Sequence, residues 1–231
     1  AAGMFINKDE RMIKPLPDKI LTTGIINKKT ITKFSEYKKN FIFSACALRF
    51  EHLKEIKTKK RKKIKNILVA LEANTEMKYL MNYIATQTPK LKKLNFIIRP
   101  HPMLPLADIL AKTDYPIMDY NNVAISFNSL INDLKSSDLC IYWGSTVSIE
   151  AIKMGIPIVH FRNNSILDYD PLYNFHYLKW IINYKSDLEK TIEKIDSINS
   201  NKYKSLIRKS NIFLENFFFK VNKNNIKKFL N

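Results

Sequence analysis

Glycine is scarce in this chain, with four among 231 residues. Neither the G-x-G-x-x-G of a dinucleotide fold nor a Walker loop occurs, which weighs against an oxidoreductase or an NTPase. Cysteine is scarcer still. Cys46 and Cys140 stand far apart in apolar, strand-like surroundings, without the density of a disulfide scaffold or the paired spacing of a zinc site. Two buried thiols in a reducing cytoplasm are the expectation. His, Cys and carboxylates do not gather at metal-ligand spacing, and no nucleophile elbow is present, so the expected metal content is none. Long apolar runs are also missing. Met4 is followed within a few residues by charge, so neither a signal peptide nor a membrane span is expected. The opening Ala-Ala-Gly has no initiator Met, and the expectation is a fragment of a longer chain.

Positive charge is in excess, at a net +18. Residues 53–65 hold eight Lys or Arg against one Glu, and residues 202–231 again hold eight against one, so two segments carry 14 of that net charge. Neither contains a nucleic-acid motif, although Phe213, Phe217, Phe218 and Phe219 lie within the second, and nucleic acid is not an expected partner. Such runs are solvated faces by default, and peripheral contact with an anionic membrane surface fits them at least as well as RNA does. A content of 45% hydrophobic and 12% aromatic residues is that of a globular chain, large enough for one large domain or for one domain plus part of another.

In chain order, residues 1–23 read as an irregular opening with a short strand at 19–22, followed by a helix within 25–37 and a second strand-like run at 41–47. The basic stretch after it reads as a linker or exposed loop, with a domain boundary near 50–64. From Lys65 onward strands and helices alternate. Residues 66–71 form a continuous apolar run suited to a buried parallel strand, and Met77, Leu80, Met81 and Ile84 repeat at helical spacing behind an Asn74 or Thr75 cap. A strand at 95–98 stops at Arg99-Pro100-His101-Pro102, because proline on both sides of His101 forbids continuing strand or helix. A helix at 106–112, a weak strand at 123–126 and a short helix at 128–135 follow. An edge strand at 179–183, a helix capped by Ser186 and a long amphipathic helix at 202–219 close the chain. This alternation predicts an α/β fold with a doubly wound parallel sheet.

The most informative stretch is residues 136–161. An apolar run ends at Trp143, Gly144-Ser145-Thr146 turn the chain, a helix carries Glu150, and Gly155 and Pro157 stop it before a second apolar run. That is a βαβ unit whose turn delivers a helix N-terminus to the carboxyl edge of the sheet, where dipole and N–H groups favour an anion such as phosphate. Ligands in such sheets bind outside the carboxyl ends of the strands, so the loops at 72–75, 99–102 and 143–148 are the candidate site. His101 has a stiff mount there and could donate a hydrogen bond to phosphate. Ser145, Thr146 and Ser148 are expected as helix caps on the plainest reading, and Glu150, one turn in, is expected within reach of a ribose beside the phosphate.

These residues resemble a known group. Ile97-Ile98-Arg99-Pro100-His101-Pro102, then Ser137-Asp138, Gly144-Ser145-Thr146-Val147-Ser148-Ile149-Glu150-Ala151 and Gly155-Ile156-Pro157-Ile158-Val159, resemble the C-terminal, nucleotide-binding half of GT-B glycosyltransferases. The His-Pro loop paired with a Ser/Thr-rich helix start looks most like bacterial surface-carbohydrate transferases: sialyl- and polysialyltransferases, Kdo transferases of capsule synthesis and CDP-glycerol glycerophosphotransferases. Ala47-Leu48-Arg49-Phe50-Glu51-His52-Leu53 looks like the segment entering that half. The resemblance implies a Rossmann-like nucleotide-sugar-binding domain over 51–231, preceded over 1–50 by the end of an acceptor domain and a linker.

It further implies that His101 is catalytic, contacting the donor phosphate and assisting departure of the nucleotide. Arg99, Asn74, Thr75, Gly144, Ser145, Thr146 and Ser148 would bind the donor, and Glu150 its ribose. The implied activity is transfer from a CMP- or UDP-activated sugar to a glycan acceptor in surface polysaccharide synthesis, in the cytoplasm or at the inner face of the membrane, with no cofactor beyond the donor. The acceptor-activating carboxylate would lie outside this chain. Tyr142-Trp143 before Gly144 departs from the Asp-Tyr-Ser-Ser form of the glycerophosphotransferases. Two alternatives stay open: a relative of UDP-sugar 2-epimerases, which share the Glu-Ala-Gly-Pro part of the pattern, and a basic membrane- or RNA-binding module on a Rossmann-like scaffold.

Overall fold

The computed structural model describes residues 6–163 and 170–230. By packing, the chain divides into two units, residues 56–210 and residues 1–55 with 211–231. Residues 51–231, expected to fold together, are thus divided.

In the smaller unit, helix α1 (Lys8–Ile13), strand β1 (Ile20–Thr22), helix α2 (Ile25–Phe34) and strand β2 (Ile42–Ser44) follow in order. The two strands pair in parallel, Ile20 opposite Ile42. The irregular opening contains a helix because Asn7 and Glu10 form a capping box, each side chain bonding the other's backbone N–H. Residues 48–55 form two short 3₁₀ pieces that meet at a kink at Phe50. The end of the chain belongs to this unit because Phe219 N–H donates to Thr23 O at 2.7 Å, Ala47 N–H donates to Phe219 O at 3.3 Å, and Phe50 stacks on Phe218 at 4.3 Å. A Cβ on Gly24 would stand 2.4 Å from Asn216 O, so no side chain fits there.

The larger unit holds β3 (Asn66–Ala70), α3 (Met77–Gln87), β4 (Asn95–Arg99), α4 (Leu106–Leu110), β5 (Val123–Ile125), α5 (Leu130–Ser136), β6 (Leu139–Tyr142), α6 (Val147–Lys153), β7 (Ile158–Phe161), β8 (Lys179–Ile182) and α7 (Leu188–Asp196). Helix α8 (Ser200–Phe217) starts in this unit and ends in the other, where α9 (Lys223–Lys227) follows. The six strands form a wholly parallel sheet in the order β5-β4-β3-β6-β7-β8. The expected doubly wound α/β fold is therefore what the chain has. Winding runs outward from β3 in one direction and then from β6 in the other, which makes the β3–β6 boundary the topological switch point.

Both sheet faces are covered, which is why the central strands read as unbroken apolar runs. On one face Ile67, Val69, Ile98, Ile141 and Val159 pack with Leu80, Met81 and Ile84 of α3 and Leu188, Ile192 and Ile195 of α7 in one core. Burying side chains of this size contributes about 1.5–3 kcal/mol each. On the other face Tyr142 donates to Asp170 Oδ1 at 2.8 Å, and the Lys179 ammonium pairs with the same carboxylate, with all three side chains buried.

Helix ends explain two further points. Gly155, at φ +75°, ends α6 in a Schellman arrangement, with Gly155 N–H bonded to Ile152 O at 3.0 Å and Ile156 N–H to Ala151 O at 2.9 Å. The cap of α7 is Asp187, whose carboxylate accepts from Lys190 N–H at 3.1 Å, rather than Ser186, whose hydroxyl instead accepts from Asn183 N–H. The basic stretch, expected as a linker or exposed loop near a domain boundary, is a loop beside the boundary between the units at 55/56, and it is tied down as a strap. Lys59 Nζ donates to the carbonyls of Lys135 and Ser137 at 3.0 and 2.5 Å, at the end of α5. Arg61 donates to the carbonyls of Ile195, Asp196 and Ile198 at the end of α7 and lies 4.2 Å from the Tyr203 ring centroid. Cations at helix C-termini meet the negative end of the macrodipole, which makes the strap part of the fold. Lys57, Lys60, Lys62 and Lys63 remain exposed.

Candidate functional site

Three adjacent strands bring the predicted loops together. Ala70 at the end of β3 is opposite both Arg99 of β4 and Tyr142 of β6, so the segments leaving these strands emerge side by side at the carboxyl edge. Glu72 and Gly144 flank the switch point, and they meet there. The Gly144 N–H donates to Glu72 Oε1. Burial pushes the Glu72 carboxyl above its ordinary value, and the Gly144 N–H partly offsets this. Sequence reasoning reached the 72–75 loop but passed over Glu72. Its signal was position: it is the first charged residue after a fully buried parallel strand, at the edge where ligands bind.

On the β4 side, His101 is half-buried and fixed in a turn, its carbonyl accepting from Leu104 N–H at 3.1 Å. Its Nδ1 accepts from Met103 N–H at 3.2 Å. The neutral imidazole that makes this bond carries its hydrogen on Nε2, which is the atom able to donate to a ligand. Arg99 is engaged within the protein. Its Nη1 pairs with Asp133 Oδ2 at 2.5 Å and donates to Asn128 O at 2.9 Å. Asp133, 1% exposed, also accepts from Ser126 Oγ at 2.6 Å, so one buried carboxylate joins the ends of β4 and β5 to α5. Asn74 accepts from Glu76 N–H at 2.9 Å and so shapes the entry to α3, with Thr75 beside it.

On the β6 side, Ser148 is fully buried and donates to Ser145 O at 2.8 Å, an internal tie of the turn. Ser145 is also buried, whereas Gly144 and Thr146 are half-buried at the edge. Glu150 is 8% exposed. Burial pushes the Cys140 thiol up, and the nearby Glu150 carboxylate pushes it further, which puts Glu150 close to β6. The edge thus gathers His101, Glu72, Gly144 and Thr146, while Arg99, Ser148 and Glu150 are held among protein groups. Chemically it offers hydrogen-bond donors for an anion beside a carboxylate whose proton affinity is raised.

This arrangement is a Rossmann-like α/β domain with a candidate site at its switch point. No family profile and no curated protein match the sequence. Solved structures do match in fold. TarM from S. aureus, determined as a point mutant with fondaparinux, α-GlcNAc-glycerol and UDP, is similar with a TM-score of 0.59 and 14% identity, over 92% of this chain and 43% of that one. A glycosyltransferase from Rickettsia africae gives 0.58 and 14%, covering 98% and 66%. HepE from Anabaena with UDP and glucose gives 0.58 and 9%, covering 88% and 60%. A putative UDP-N-acetylglucosamine 2-epimerase from Listeria monocytogenes also shares the fold, at 0.52 and 14% over 85% of this chain. The chain therefore spans under half of TarM and about two thirds of the Rickettsia enzyme.

Proposed function

We propose that this chain is the donor-binding part of a glycosyltransferase that takes a UDP- or CMP-activated sugar for surface polysaccharide synthesis. The observation that carries the reading is the convergence of the β3, β4 and β6 loops at the switch point, with His101 and the Gly144 turn on either side of Glu72. His101 Nε2 and Thr146 would donate to the donor phosphate, and charge developing on the departing nucleotide is where such donors lower the barrier. No metal and no cofactor other than the donor is needed in this scheme. The acceptor-activating base would come from outside this chain. The UDP bound in two of the similar structures supports UDP as the first nucleotide to test. The exposed strap lysines supply charge for peripheral contact with an anionic membrane.

Calorimetric titration with UDP, CMP and CDP tests this. His101→Ala is expected to weaken binding of the favoured nucleotide about tenfold, the worth of one charge-assisted hydrogen bond. A variant that binds as tightly as the parent sinks the role of His101, and absence of binding by all three nucleotides sinks the reading. The epimerase-like structure supports a second reading, separated by whether UDP-N-acetylglucosamine is epimerised when no acceptor is present.

A further inference from the structure

A cavity of about 620 Å³ beside α3 is lined in part by Glu76, Tyr79, Asn82, Tyr83, Asp114 and Tyr184. None of the nucleotide-site residues named above lines it, although Glu76 directly follows Thr75 and its N–H donates to Asn74 at 2.9 Å. Glu76, Tyr79 and Tyr83 are three and four residues apart and share one helical face. Tyr79 and Tyr184 meet edge to face, 6.2 Å between centroids and 86° between planes, and form an aromatic corner. Tyr83 is fixed by packing on Phe161 at 5.3 Å and by donating to Ser186 O at 3.1 Å. Asp114 is fixed by a reciprocal pair in which Asn82 Nδ2 donates to Oδ2 at 2.5 Å and Asp114 N–H donates to Asn82 Oδ1 at 2.8 Å.

Two features say what such a cavity recognises. In a chain of net charge +18, no Lys or Arg appears among the described lining residues, whereas two carboxylates do. Burial, and then Tyr79, Glu76 and Asp114, push the Tyr184 phenol above its ordinary range, so these carboxylates act on the aromatic corner itself. Ring faces beside carboxylates attract a cation that carries apolar carbon, because the π quadrupole and the anions both favour positive charge. Tyr79 already shows the chemistry, with Lys78 Nζ 4.9 Å from its ring centroid.

We propose that this cavity is a binding site for an organic ammonium cation, held between the rings of Tyr79 and Tyr184 and the carboxylates of Glu76 and Asp114. A chain this basic repels cations at long range, so uptake of one reports a local site rather than surface adsorption. The test is calorimetric and NMR titration of the intact chain with tetramethylammonium and spermidine, and with maltose as an uncharged comparison, into the tens of millimolar. The expected result is saturable ammonium binding without maltose binding. Tyr184→Leu and Asp114→Asn should each weaken it about fivefold or more, whereas Tyr184→Phe, which keeps the ring, stays within about twofold. Circular dichroism and an unchanged UDP titration would show that the variants are folded and that the nucleotide site is separate. Absence of ammonium binding, equal binding of maltose, or full binding by Tyr184→Leu overturns the proposal.

Discussion

Removing the carboxylate of Asp133 tests whether Arg99 is a structural residue or a phosphate ligand. Asp133 is 1% exposed and accepts from Arg99, from Ser126 and, at 3.4 Å, from Asn128 Nδ2. In Asp133→Ala these donors lose their acceptor and the guanidinium loses its counter-charge. Breaking a buried pair costs about 3–5 kcal/mol, and the 20% exposure of the Arg99 side chain, which lets water solvate it, puts the expected loss near the lower end. For a unit of this size that lowers the melting temperature by roughly 6–12 °C. Adding Arg99→Met removes the stranded cation and should recover about 1–2 kcal/mol, since residues sharing a contact are not additive. Urea and thermal unfolding followed by circular dichroism, with a UDP titration of each variant, measure all three quantities. A loss below about 1 kcal/mol for Asp133→Ala, or a further loss on adding Arg99→Met, refutes the structural assignment. Recovered stability with lost UDP affinity would return Arg99 to the ligand.

Two other perturbations follow from the same edge and its helices. Because the folded-state Glu72 carboxyl is raised from 4.5 by burial, its ionisation opposes folding, and stability should fall as pH rises from 4.5 through the raised value. Glu72→Gln keeps an acceptor for Gly144 N–H, so it should abolish that part of the fall and, by removing a negative charge, strengthen UDP binding at neutral pH; an unchanged pH profile would refute this. Gly155→Ala forces a side chain into φ +75° with its Cβ 2.9 Å from Thr58 Cγ2. The left-handed backbone costs about 1–2 kcal/mol and the contact adds to it, so a loss of about 2 kcal/mol is expected on urea unfolding, and a neutral substitution would contradict the argument.

The larger unit was legible because its strands are buried on both faces: runs such as residues 66–71 and 139–143 declare themselves without any partner being known. The Gly155 stop was equally legible, since its cause is local. What depends on distant residues was not. Arg99 and His101 look alike in the sequence as polar groups at a strand end, and only Asp133, 34 residues on, separates them. The position of Glu72 after a buried strand is a local signal, but its bond to Gly144, 72 residues away, is not. The α1 helix is a different case, because its Asn7-x-x-Glu10 signal was local and was passed over.

The strap also changes what a charge means in this protein. Lys59 and Arg61 spend their hydrogen bonds on the last carbonyls of α5 and α7, while Lys57, Lys60, Lys62 and Lys63 face solvent. Acetylating or neutralising the run as a block would therefore mix two readouts, a loss of fold and a loss of attraction. The two are separable residue by residue, since Lys60→Gln subtracts charge alone and Lys59→Gln subtracts a helix end.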